Sequence, residues 1–90
     1  MEIKPLERVL KALANRRRLA IVRYVAKRKD ATVTEIADAI RLSLTATSKH
    51  LTVLKAADIV IDEKRSLLVI YSLATPAPAA AKAVLALLNE

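Results

Sequence analysis

Leu42-Ser43-Leu44-Thr45-Ala46-Thr47-Ser48-Lys49-His50-Leu51-Thr52-Val53-Leu54-Lys55-Ala56-Ala57 is the stretch whose reading decides the fold. Ser43 stands where a helix N-cap belongs, its hydroxyl able to accept a backbone N–H of the first turn, and nothing before Asp58 argues for a stop. The stretch therefore reads as one helix. Advancing about 100° per residue from Ser48 puts Thr45, Lys49, Thr52 and Lys55 in an arc of roughly −20° to +100°. Ala46, Thr47, His50, Leu51, Val53, Leu54 and Ala57 fill the opposite side. An ordinary solvent face would favour long Glu, Lys and Gln, because Ser and β-branched Thr lower helix propensity. Short hydroxyls let a helix come close to another surface and can bond to base edges and phosphates. A half-exposed core helix is the plainer alternative, and the neighbouring segments decide between the two.

Upstream, Thr32 and Glu35 have the spacing of a capping box, opening a short helix through Ile40 whose apolar side is Ile36, Ala39 and Ile40. Arg41-Leu42 is the only connection to Ser43, so the two helices must turn sharply on each other, as in a helix-turn-helix. Before them, Asp30 to Val33 fits one brief strand. Asn15 caps a helix from Arg16 to about Arg28, with Leu19, Ile21, Val22 and Val25 on its apolar side. Pro5 can open a first helix, in which Ile3, Leu6, Val9, Leu10 and Leu13 recur at helical spacing. Lys27-Arg28-Lys29 suit a helix C-terminus on dipole grounds. Arg16-Arg17-Arg18 do not suit an N-terminus, which points to a phosphate backbone or an acidic partner surface.

Downstream, Ile59-Val60-Ile61 and Leu67 to Leu73 are two β-rich runs flanking a charged turn, Asp62 to Ser66, with Lys64 and Arg65 at its tip. Thr75-Pro76-Ala77-Pro78 punctuates the chain, and a last helix runs to Leu88. Val84, Leu85 and Leu88 belong to an apolar surface that wraps most of that helix, which water alone would not support. It is expected to pack on its own domain and on a second copy, with Ile3, Leu6 and Leu10 of the first helix, about a two-fold axis.

The composition narrows the function classes. Ninety residues allow a single domain, 1–90, and the lack of Phe and Trp makes its core aliphatic and small. The chain has no cysteine, so no disulfide framework or thiolate metal site exists, and an intracellular setting is the default. No apolar run reaches the roughly 18 residues of a membrane span, so no membrane partner is expected. The formal charge is +7, and residues 1–30 hold 10 Lys/Arg against 3 Asp/Glu while the remainder is balanced. Such an excess points to a polyanion, most often nucleic acid. Catalysis finds no support: Ser48 and His50 diverge by about 200° on one helix, and there is no glycine with which to build a phosphate loop. Only Tyr24 and Tyr71 could stack on RNA bases.

Leu10-Lys-Ala-Leu-Ala-Asn-Arg-Arg-Arg-Leu-Ala-Ile-Val22, the Ser48-Lys49-His50-Leu51-Thr52-Val53-Leu54 segment and Leu68-Val69-Ile70-Tyr71-Ser72-Leu73 together resemble the signatures of the winged helix-turn-helix repressors of the ArsR (arsenic-repressor) type. The resemblance implies a mainly α fold with a small β-hairpin, the wing, dimerised through its N- and C-terminal helices. Segments 1–14 and 77–88 would be the dimerisation helices, 32–57 the helix-turn-helix and 59–73 the wing. It also implies a cytoplasmic homodimer that places two recognition helices in successive major grooves of double-stranded DNA, about 34 Å apart on a near-palindromic operator. Thr45, Ser48 and Lys49 would face the groove, joined on the same arc by Thr52. Leu44 replaces a commonly polar position and could meet a thymine methyl. Lys64 and Arg65 of the wing would meet phosphates or the minor groove, and Arg16 and Arg17, out of place at their own helix N-terminus, are expected at the phosphate backbone.

Metal-sensing relatives carry cysteines on the helix equivalent to 35–40, or His and carboxylate ligands on the terminal helix. Neither set is present here, so neither a metal nor a cofactor is expected. His50, within the apolar arc, reads as a hydrogen-bonded core or interhelix histidine. Where the family commonly has glycine, this chain has Arg41 and Asp58, and a left-handed Arg41 would be strained by about 1–2 kcal/mol. A DNA-binding repressor is the leading reading. An architectural DNA-binding protein with little base readout, or a protein-docking module of the same fold, are the alternatives.

Overall fold

The computed structural model describes residues 2–89. Five helices and three strands follow in the order α1 (Ile3–Leu13), α2 (Arg16–Arg28), β1 (Asp30–Thr32), α3 (Val33–Ile40), α4 (Leu44–Ala56), β2 (Val60–Arg65), β3 (Leu68–Leu73) and α5 (Ala79–Leu88). The local chemistry accounts for most of these boundaries. The Asn15 side chain accepts from the N–H groups of Arg17 and Arg18 at 2.9 and 3.2 Å, satisfying two orphan donors of α2. Thr32 and Glu35 close a reciprocal capping box at α3, and Ser43 Oγ accepts from Ala46 N at 3.1 Å to start α4. Helix α1 begins at Ile3, two residues before Pro5, whose missing N–H is harmless within the first turn.

The helix-turn-helix is closed at both ends by the same device. Arg41 (φ 56°, ψ 53°) and Asp58 (φ 60°) are left-handed. After α3, Arg41 N donates to Asp38 O at 3.3 Å and Leu42 N to Ala37 O at 3.0 Å. After α4, Asp58 N donates to Lys55 O and Ile59 N to Leu54 O, both at 3.0 Å. This paired pattern is the Schellman motif, and after α4 the residues that usually form its apolar clasp, Leu54 and Ile59, are both buried in the core. The motif wants glycine at the left-handed position. The fold imposes it here on side chains that resist it.

The hairpin is wider than the sequence suggests. Strand β2 continues through the charged run 62–65, so the turn is Ser66-Leu67 with Ser66 at φ 58°, and Lys64 and Arg65 lie within the ladder opposite Val69 and Leu68. The expected turn over Asp62 to Ser66 is therefore corrected. Asp, Glu and Lys are poor strand formers, yet each faces a β-branched, aromatic or aliphatic residue of β3 that fixes the pairing. Strand β1 adds to the other edge of β3, Ala31 opposite Tyr71, which makes an antiparallel sheet of order β1-β3-β2. Ile21, Val22 and Val25 of α2 form the centre of one core with Ile36, Leu51, Leu54, Ile59 and Val60. Ala81 of α5 and Val9, Ala12 and Leu13 of α1 complete it.

Candidate nucleic-acid interface

Helix α4 has the two faces its sequence implies. Thr47, Leu51 and Leu54 are buried, whereas Leu44, Thr45, Ser48, Lys49 and Thr52 are exposed along one side. The Thr52 hydroxyl donates to Ser48 O at 3.0 Å, so toward an outside group it can act only as an acceptor. Lys49 is the one long cation of this face without an ion pair among the described residues. Lys55 shares the arc but is ion-paired to Asp62 of β2 at 2.9 Å. Val53, expected on the apolar side, is partly exposed, because it borders an open cleft of about 520 Å³ between α1 and the end of α4. Thr47 Oγ1 is buried with no hydrogen-bond partner among the described residues.

The cations of α2 divide into two groups that the sequence does not separate. Arg17 Nη1 donates to Ile40 O, the last carbonyl of α3, at 2.9 Å. Arg18 donates through Nε to Ala12 O at 2.6 Å and through Nη2 to Lys11 O at 3.5 Å, at the end of α1. Cations that look misplaced at their own helix N-terminus thus serve the C-termini of two other helices, where orphan carbonyls and the dipole favour them. Arg16, Arg23 and Lys27 remain exposed. They fall within about 40° of one another around α2, and none is ion-paired among the described residues. Arg23 and Lys27 also line, with Arg17, Tyr24, Ala39 and Ile40, a cleft of about 250 Å³ beside the turn that leads into α4. The sequence reading missed Arg23 and assigned Lys27 to the dipole. Their spacing of 7 and 11 residues from Arg16 was the available signal.

On the wing, Lys64 is exposed and has no ion pair among the described residues, while Arg65 is 2.9 Å from Glu63 and 3.2 Å from Asp30. The Glu63 and Asp30 carboxylates hold the Arg65 guanidinium more firmly charged than usual, Glu63 contributing most. Leu67, at the tip, is 93% exposed. On the terminal helices α1 and α5, Ile3 and Leu10 are exposed, Leu10 by 46%, and Leu6, Val84, Leu85 and Leu88 are half-buried. Among the described residues no cluster of three His, Asp or Glu side chains could hold a metal ion, and no helix is long and apolar enough to cross a membrane.

A capped helix held on the core by one face, with a hydroxyl-and-lysine face outward and a hairpin beside it, defines a winged helix-turn-helix DNA-binding regulator. Residues 13–63 match the helix-turn-helix domain family. HlyU from Vibrio cholerae is 32% identical over 99% of this chain and 95% of that one, with a TM-score of 0.83. The homodimeric winged helix-turn-helix DNA-binding domain of Mb0332 from Mycobacterium bovis, described as a possible ArsR-family transcriptional regulator, is 32% identical over 97% of this chain and 77% of that one (TM-score 0.83). The transcriptional repressor PagR of Bacillus anthracis is 25% identical over 94% of both chains (TM-score 0.82). No curated protein matches the sequence. The chain belongs to the ArsR-type winged helix-turn-helix transcriptional regulators.

Proposed function

We propose that the protein is a cytoplasmic repressor that binds a near-palindromic operator as a homodimer and occludes a promoter. The observation that carries this reading is the exposed face of α4, where Leu44, Thr45, Ser48, Lys49 and Thr52 stand clear of the core. Lys49 is the side chain long enough to reach a guanine edge, the hydroxyls can bond to bases or phosphates, and Leu44 suits a thymine methyl. Lys64 and Arg65 of the wing, with Arg16, Arg17, Arg23 and Lys27 of α2, border this face as backbone contacts. Arg17 and Arg65 reach phosphates only with the N–H groups their internal partners leave over.

Dimerisation joins the exposed apolar side of α1, Ile3, Leu6 and Leu10, to Val84, Leu85 and Leu88 of α5. The homodimeric Mycobacterium bovis domain supports pairing of two copies, and PagR, a repressor, supports the sign of regulation. The domain bounds follow: 32–57 reads DNA, 59–73 flanks it, and the two terminal segments pair the subunits.

Selection of bound duplexes from random DNA, with the protein's mass in solution measured in the same buffer, tests the reading. A two-fold symmetric site and a dimer mass are expected. Enrichment of no sequence despite binding at low salt would replace the repressor with an architectural protein. No duplex binding at low salt would leave a protein-docking module.

A further inference from the structure

One side chain joins three helices. From α2, the Arg18 guanidinium reaches the Ala12 and Lys11 carbonyls at the end of α1, and its Nη1 lies 3.2 Å from Nδ1 of His50 on α4. A guanidinium has donors only and keeps its proton at any ordinary pH. His50 must therefore present a lone pair at Nδ1, so its ring is neutral and carries its proton on Nε2. A protonated ring would lose that acceptor and set one cation against another. The neighbours offer it no compensation. Arg17 and Arg18 of α2 both disfavour a charged His50, and the Lys11 side chain of α1 is a further cation, held by Glu7 at 3.9 Å. Burial, followed by these two arginines, lowers the His50 pKa below the ordinary histidine value.

We propose that Arg18 and His50 are positioning residues for DNA binding: together they brace the recognition helix against the end of α1, and the brace holds only while the His50 ring is neutral. His50 lies two residues from Ser48 and next to Lys49, so the contact is close to the groove face without belonging to it. Its other end is anchored on the helix assigned above to the dimer interface. The brace thus relates the angle of each recognition helix to the junction between subunits, and with it the distance between the two groove contacts. Acidification is expected to release it. Protonation also adds a positive charge to the protein, which by charge alone would tighten DNA binding, so a loss of affinity in acid has the sign that only the brace explains.

The inference rests on the DNA-binding reading, but half of its test does not. His50 is the only histidine in the chain, so its ring resonances are unambiguous. In the intact chain the ring is expected to titrate below about 6.5, and the Arg18→Met variant should move that titration upward. His50→Gln keeps an acceptor for Arg18 and cannot titrate. Between about pH 8 and about pH 5.5, amide exchange corrected for its intrinsic rate should accelerate in α4 and the last turn of α1 of the parent, and not in His50→Gln. On a duplex selected by the parent at the higher pH, the parent should lose roughly tenfold more affinity over that range than His50→Gln. Arg18→Lys, which cannot reproduce the fork, should bind weakly throughout. A His50 titration at or above the ordinary value overturns the proposal, as do superimposable exchange and affinity profiles for parent and His50→Gln. If no duplex binds at any pH, the regulatory reading falls, and titration with exchange alone decides whether the brace exists.

Discussion

Lys55 Nζ lies 2.9 Å from Oδ1 and 3.1 Å from Oδ2 of Asp62, so the last turn of the recognition helix is ion-paired to the first strand of the wing. The hydrogen bond and charge of Asp62 raise the Lys55 pKa, keeping the pair ionised. A cation neutralised in this way adds nothing to phosphate binding. Lys55→Ala should therefore leave the slope of log affinity against log salt unchanged. Asp62→Asn frees the cation beside the DNA face and should steepen that slope by about 0.9 for each subunit bound. Filter or fluorescence titrations at several salt concentrations measure both.

Lys49 and Lys64 should fail differently. Lys49→Ala on the selected duplex is expected to cost roughly 1–3 kcal/mol of binding and to relax preference at one base pair. Lys64→Ala should weaken all sequences alike and flatten the salt slope by about one for each subunit bound. Arg65→Ala should flatten it less, since Glu63 and Asp30 already oppose that charge. Equal loss of sequence preference in Lys49→Ala and Lys64→Ala would show that the groove face is misplaced.

Leu10→Glu puts a carboxylate in the centre of the apolar side of α1, where Leu10 is 46% exposed and has little to do within its own subunit. The variant should stay folded by circular dichroism and sediment as a monomer, with operator affinity reduced by at least about tenfold because two linked half-site contacts become one. A parent that is itself monomeric at micromolar concentration would refute the interface.

Two substitutions should stabilise the fold. Thr47→Val keeps the shape of a buried side chain while deleting a hydroxyl that has no partner, a gain of about 1 kcal/mol. Arg41→Gly relieves a left-handed backbone at the tight turn and should add up to about 1 kcal/mol after glycine's greater freedom in the unfolded chain is subtracted. Urea midpoints measured at constant slope test both.

Acid should loosen α3 through its cap. The Thr32 backbone N–H, bonded to Glu35 Oε1 at 2.8 Å, is the largest influence holding the Glu35 carboxyl below the usual carboxylate range, assisted by the Thr32 hydroxyl and Arg28. A depressed carboxyl stabilises the native state above its unfolded pKa, and the contribution is lost as pH falls through the native value. Glu35→Gln should remove that part of the stability's pH dependence between about pH 5 and pH 3, seen in urea midpoints across the range.

Most elements were legible because their signals are local. Asn15, Thr32 and Ser43 name the starts of α2, α3 and α4 through bonds that span two or three residues, and the faces of α4 follow from a fixed rotation per residue. The left-handed Arg41 and Asp58 were legible only through the family resemblance, because they stand where the family commonly has glycine. The sequence by itself thus determined the helix order, the exposed face of α4 and its hydroxyl chemistry, and these carried the family resemblance.

Tertiary structure alone decided where the cations go. Arg17 finds a carbonyl 23 residues away, Arg18 a histidine 32 away and Arg65 a carboxylate 35 away. Helical periodicity cannot tell a guanidinium that caps a neighbouring helix from one that waits for a phosphate, because both are flexible charges beside an apolar stripe. The carbonyl ends of α1 and α3 come within reach only once the core of Ile21, Ile36 and Leu51 has closed. Packing therefore set the division between structural arginines and those left facing solvent.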